Sequence, residues 1–102
     1  MTAVVAEKPK VKLSLKPKVG QPSLFSVIIF NDDFTPMEFV VDLLRHVFHM
    51  DQEQATMTML QVHYQGQAIC GFYSPKVAAQ KVEQVVEAAR EEGHPLMCHI
   101  GS

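Results

Sequence analysis

The chain has 102 residues, 47% hydrophobic and 20% charged, which is the composition of one globular domain and too short for two independent cores. Its formal net charge of −2 hides an uneven split: residues 1 to 22 hold five Lys against Glu7, net +4, whereas residues 23 to 102 hold four basic against ten acidic residues, net −6. An acidic domain argues against nucleic acid as the main partner, because phosphate binding needs a basic surface on the domain itself.

Residues 1 to 22 mix Lys, Pro, Val and Gly without sustained helical or strand periodicity, so a flexible basic tail is expected ahead of a folded domain spanning 23 to 102. The N-terminus lacks an apolar signal core, and no apolar run approaches the roughly 20 residues needed to span a bilayer. A cytoplasmic protein with no membrane association is expected. Cys70 and Cys98, without a secretion signal, suit a reducing compartment and read as small buried hydrophobes.

Residues 24 to 30 are β-branched and aromatic enough for a buried strand, which leads directly into Asn31-Asp32-Asp33. Helix-start signals follow at once. Thr35 reads as N-cap, Pro36 as first helical residue and Glu38 as the closing member of a capping box, with Phe34 and Phe39 as a hydrophobic staple. Met37, Val40, Val41, Leu44, Val47 and Phe48 then keep the spacing of an amphipathic helix to about His49.

Asp51 with Gln54 offers a second cap for a helix to about Tyr64, on which Met59, Val62 and His63 share one face and which Gly66 stops. Ala68 to Tyr73 suits a strand, with Gly71 marking a bulge or close approach. Ser74-Pro75 starts a third helix with Ala78, Val82, Val85, Val86 and Ala89 on one stripe, and Gly93 ends it. Residues 95 to 100 read as a closing strand. The expected fold class is therefore α+β, a compact β-α-α-β-α-β sandwich of three helices on a small three-stranded sheet.

Asn31, Asp32 and Asp33 have two readings that spacing leaves open: turn formers, or an acceptor-rich edge for a cation or multi-donor group at the positive end of a helix dipole. A calcium loop is disfavoured, since the Gly and closing Glu it requires are missing at their offsets. His63 alone on an apolar helix face reads first as a satisfied core or surface residue. A zinc site recruiting His63, Cys70, His94, Cys98 or His99 lacks any CxxC, HxxxH or HExxH spacing, so no metal and no other cofactor is expected. No nucleophile elbow and no phosphate-cradling glycine loop is present in the sequence, and a non-enzymatic role is expected.

Three separated stretches, Asn31-Asp32-Asp33-Phe34-Thr35-Pro36-Met37-Glu38-Phe39-Val40, then Met59-Leu60-Gln61-Val62-His63-Tyr64-Gln65-Gly66, then His94-Pro95-Leu96, together resemble the ClpS family across residues 24 to 100. That family comprises bacterial adaptors delivering N-degron substrates to a Clp AAA+ protease. The resemblance implies that Asn31, Asp32 and His63 hold a free N-terminal amine, an ammonium with three donors. Asp32 would supply charge, neutral His63 a ring-nitrogen acceptor, and Asn31 both an acceptor and a donor to the first peptide carbonyl. Asp33 and Thr35 would hold the rim. Met37, Val40, Met59, Val62 and Leu96 would form the pocket for a Leu, Phe, Tyr or Trp side chain, with methionines adapting to each shape.

The resemblance further implies docking of a monomeric adaptor on the N-terminal domain of a Clp AAA+ ATPase through the third helix around Lys76 and Lys81, with the tail engaged by the ATPase. Lys76 stands where an acidic residue is expected from some family members. Two competing readings remain: a small ribosome-associated domain using the Lys-rich tail on RNA, and a hydrolase acting on N-terminal residues.

Overall fold

A computed structural model describes residues 23 to 101. The expectation of a flexible tail over residues 1 to 22 lies outside the described residues. The element order is β1 (Phe25–Phe30), α1 (Met37–Val47), α2 (Gln52–Gln65), β2 (Gln67–Tyr73), α3 (Pro75–Glu91) and β3 (Met97–Gly101). The expected α+β sandwich of three helices on a three-stranded sheet is the fold observed.

β1 is the central strand, antiparallel to both neighbours in the order β2-β1-β3. Its alternation explains the sandwich: Val27 and Ile29 point to one face and are fully buried beside the fully buried Leu44 and Val85. Cys70 and Cys98 lie on the same buried side as free thiols. α3 lies against all three strands, α2 against β2, and α1 between α2 and α3.

The register of β1 on β2 slips between Val27 and Ile28, whose partners are Gly71 and Ile69, so Cys70 is the extra residue of a bulge. A Cβ on the neighbouring Gly71 would stand 2.6 Å from Tyr73 Oη, the close approach expected of that glycine.

Two of the three helix starts follow local chemistry as expected. Asp51 accepts from Gln54 N at 2.7 Å, and Ser74 Oγ accepts from Val77 N at 3.4 Å. The first does not. α1 begins at Met37 with Pro36 in the cap position and no side-chain cap, so the Thr35–Glu38 capping box does not form. The Thr35 hydroxyl instead donates to Asp32 Oδ2 at 2.5 Å, a charge-assisted bond that turns the side chain toward the Asp32 turn and away from the helix N–H groups. The staple is absent too. Phe34 is 81% exposed, and the Phe39 ring turns onto His94 with centroids 4.6 Å apart.

α1 stops two residues short of His49, which takes the left-handed conformation at φ 59°. Lys81 Nζ reaches over from α3 to donate to the Val47 carbonyl at 2.7 Å, satisfying one of the acceptors left at that helix end. β3 begins at Met97, so Pro95 and Leu96 precede the strand expected from 95 to 100.

Candidate functional site

β1 ends at Phe30, and the next six residues cross from the end of the central strand to α1. Asp32 organises this crossing. Its Oδ1 accepts from Phe34 N at 2.8 Å and Thr35 N at 2.9 Å, while Oδ2 takes the Thr35 hydroxyl. Three bonds to one carboxylate make an Asx-type turn, the structural role that spacing had left open for this cluster.

The second anchor is at α2. Gly66 ends that helix at φ 93°, its N–H donating to Val62 O at 2.9 Å, and its own carbonyl accepts from Asn31 N at 2.9 Å. One backbone bond thus ties the Asn31 loop to the last turn of α2, where His63 lies. A Cβ on Gly66 would meet nothing within 4 Å, so only the backbone conformation demands glycine here. Gly66→Ala is expected to lower stability by about 1–2 kcal/mol, read as a lower urea midpoint at unchanged m. No loss would show that the left-handed turn is not needed.

Between these anchors lies a cavity of about 290 Å³, lined by all ten residues singled out in the sequence: Asn31, Asp32, Asp33, Thr35, Met37, Val40, Met59, Val62, His63 and Leu96. Phe30 and Pro36 also line it. They were missed, although each directly adjoins a residue that was not. The volume is at the small end for ligand pockets and suits one large side chain.

The cavity is graded in polarity. Val40, Met59, Val62 and Leu96 are buried and form its depth, Met37 is 46% exposed at its edge, and Asn31, Asp33 and His63 are exposed around its mouth. Among the described residues, none bonds to the side chain of Asn31, Asp33 or His63. Asp32 differs from all three. With both oxygens already accepting, it is the loop's internal brace, and Asp33 carries the uncommitted carboxylate.

The cysteines are chemically withdrawn from the site. Burial pushes the Cys70 thiol up to about 12, with the nearby Cys98 adding to the effect, and burial alone does the same to Cys98. Both stay protonated at neutral pH, which removes the thiolate that a nucleophile or soft-metal ligand needs.

Lys76 and Lys81 do not share an environment. Lys76 is exposed in the first turn of α3, whereas Lys81 is half-buried, bonded to Val47 O and 5.7 Å from the Tyr73 ring centroid. No helix among the described residues is long and apolar enough to cross a membrane.

Comparison with known proteins agrees with this architecture. The chain is 54% identical over 91 residues to the ATP-dependent Clp protease adapter protein ClpS of Escherichia coli O1:K1 / APEC, covering 89% of this chain and 82% of that one. It is 52% identical over 90 residues to the ClpS of Salmonella arizonae, covering 88% and 85%. The solved structure of Agrobacterium tumefaciens ClpS2 bound to L-phenylalaninamide superposes with a TM-score of 0.76 at 32% identity, covering 78% of this chain and 96% of that one. The family described as ATP-dependent Clp protease adaptor protein ClpS matches residues 20–99, and with identities above half along most of its length the chain belongs to the ClpS family.

Proposed function

We propose that the chain is a Clp protease adaptor that captures proteins by a free N-terminal amine and a bulky first side chain, Leu, Phe, Tyr or Trp, and hands them to a Clp AAA+ ATPase. The observation that carries this is the pairing of uncommitted acceptors at the mouth with an apolar depth sized for one side chain. An ammonium needs acceptors converging on one spot. Asp33 supplies the charge, Asn31 an amide carbonyl and His63 a ring nitrogen, while Asp32 and Thr35 hold the loop that presents them. Asp33 is favoured over Asp32 for this contact because three donors already converge on Asp32 and none on the Asp33 side chain among the described residues.

The side chain then enters between Met37, Val40, Met59, Val62 and Leu96. Two methionines among these walls allow flat and branched side chains in turn. The related ClpS2 was solved with L-phenylalaninamide, a molecule carrying both an amine and an aromatic side chain. The chain makes and breaks no bond in this role. It acts as a monomer in the cytoplasm.

Docking to the N-terminal domain of the ATPase uses the α3 face around Lys76 and Lys81. Lys76 is the cation available for direct contact; Lys81 contributes by holding the α1 end against α3. Reconstitution tests the proposal. A Phe-initiated reporter should be degraded by a Clp ATPase and peptidase only when this chain is added, and a Met-initiated reporter should persist. Equal degradation of the Phe-initiated reporter without the chain would remove the adaptor role.

A further inference from the structure

Leu96 comes to the cavity from the short segment that joins α3 to β3. Gly93 N donates to Arg90 O at 3.1 Å and His94 N to Ala89 O at 2.8 Å, fixing its start; Met97 pairs with Phe30 and fixes its end. Pro95 and Leu96 lie between these anchors. Leu96 is the segment's contribution to the binding cavity. It also borders a second, more open hollow, lined with Val86, Ala89, Arg90, Gly93, His94 itself and Pro95. Leu96 therefore borders both spaces, although its own side chain is buried in the core.

One side chain of this segment reaches the facing wall. His94 meets Phe39 edge to face, at 4.6 Å between centroids and 69° between planes, and Phe39 belongs to α1, the helix that also carries the cavity residues Met37 and Val40. Both rings are half-buried. An edge-to-face pair has a preferred separation, so it resists widening as well as collapse.

We propose that His94 and Phe39 are positioning residues that set the width of the binding cavity, by clamping the Leu96 wall to α1 across from Met37 and Val40. The clamp rests on the N-degron reading for its consequence in selectivity. Its mechanical part does not depend on any ligand. Without the clamp, the Leu96 wall can retreat into the second hollow. A wider cavity leaves a small side chain such as Leu loosely held, while Trp still touches both walls.

The expected result for His94→Ala is a Leu-initiated peptide weakened by about 3- to 10-fold, the range set by one aromatic pair, with a Trp-initiated peptide changed by less than about twofold. His94→Phe, which keeps a ring at the same place, should restore the Leu peptide. Equal weakening of both peptides, or none, would overturn the width-setting role. A general loss of stability would weaken both and would not be rescued selectively by Phe. In the peptide-free chain, the methyl order parameter of Leu96 should fall in His94→Ala and recover in His94→Phe. An unchanged order parameter overturns the clamp even if no peptide binds, whereas a wild-type chain that binds neither peptide while the order parameter still falls overturns only the N-degron reading.

Discussion

A Phe-initiated peptide with an acetylated N-terminus is expected to show no measurable binding at concentrations a hundredfold above the Kd of the free form. Acetylation removes the charge, leaves one N–H where the ammonium had three donors, and adds a methyl against Asn31, Asp33 and His63. A hydrogen bond to a charged group contributes about 1.5–3 kcal/mol, and losing two of them reaches roughly a hundredfold even at the low end. Those acceptors are also covered by the peptide without receiving donors, which adds their desolvation. Placing the same Phe second, behind Gly, should fail as well, because amine and side chain can no longer reach their sites together. Fluorescence anisotropy on the three peptides decides the matter. Equal affinity for all of them would end the N-degron reading, since a cavity selecting only for an apolar side chain is indifferent to the amine.

The two neighbouring aspartates should respond differently to substitution, and the contrast separates recognition from architecture. Asp33→Asn removes an exposed, uncommitted charge, so binding of a Leu- or Phe-initiated peptide should weaken roughly 10- to 100-fold with the urea midpoint unchanged. Asp32→Ala removes the acceptor for Phe34 N, Thr35 N and the Thr35 hydroxyl. Losing that turn should lower stability by about 0.5–2 kcal/mol, the range seen for capping carboxylates and hydroxyls, and binding should fall through disorder of the loop. Denaturation and peptide titration on both variants make the comparison. If Asp33→Asn binds as well as the wild type while Asp32→Ala loses affinity at unchanged stability, the charge belongs to Asp32 after all.

The sequence was informative wherever a structural choice depends on a few neighbouring residues. Asp51 and Ser74 cap their helices, and Gly66 and Gly93 end them at positive φ. Each is a contest settled within one turn of backbone. The order of elements followed for the same reason, because helix periodicity and β-branched, aromatic runs are written into neighbouring residues. The cavity residues were also legible, through the resemblance carried by three stretches far apart in the chain.

The tertiary structure decided matters in which several partners compete for one group. By spacing alone the Thr35 side chain could cap the helix start as an acceptor or serve Asp32's turn as a donor, and the charge-assisted bond to Asp32 is the one that forms. That turn places three donors on Asp32 and none among the described residues on the Asp33 side chain, a distinction that two adjacent and identical residue types cannot reveal. Phe39 could have packed on Phe34 nearby, yet it pairs with His94 from the segment just after α3, leaving Phe34 in solvent. Lys81 likewise appears in the sequence as one more surface cation, and only the approach of α3 to the end of α1 places its ammonium on the Val47 carbonyl. Local rules determined where the chain bends and which residues face inward. Partners brought together from distant stretches determined which polar groups remain unspent at the cavity mouth.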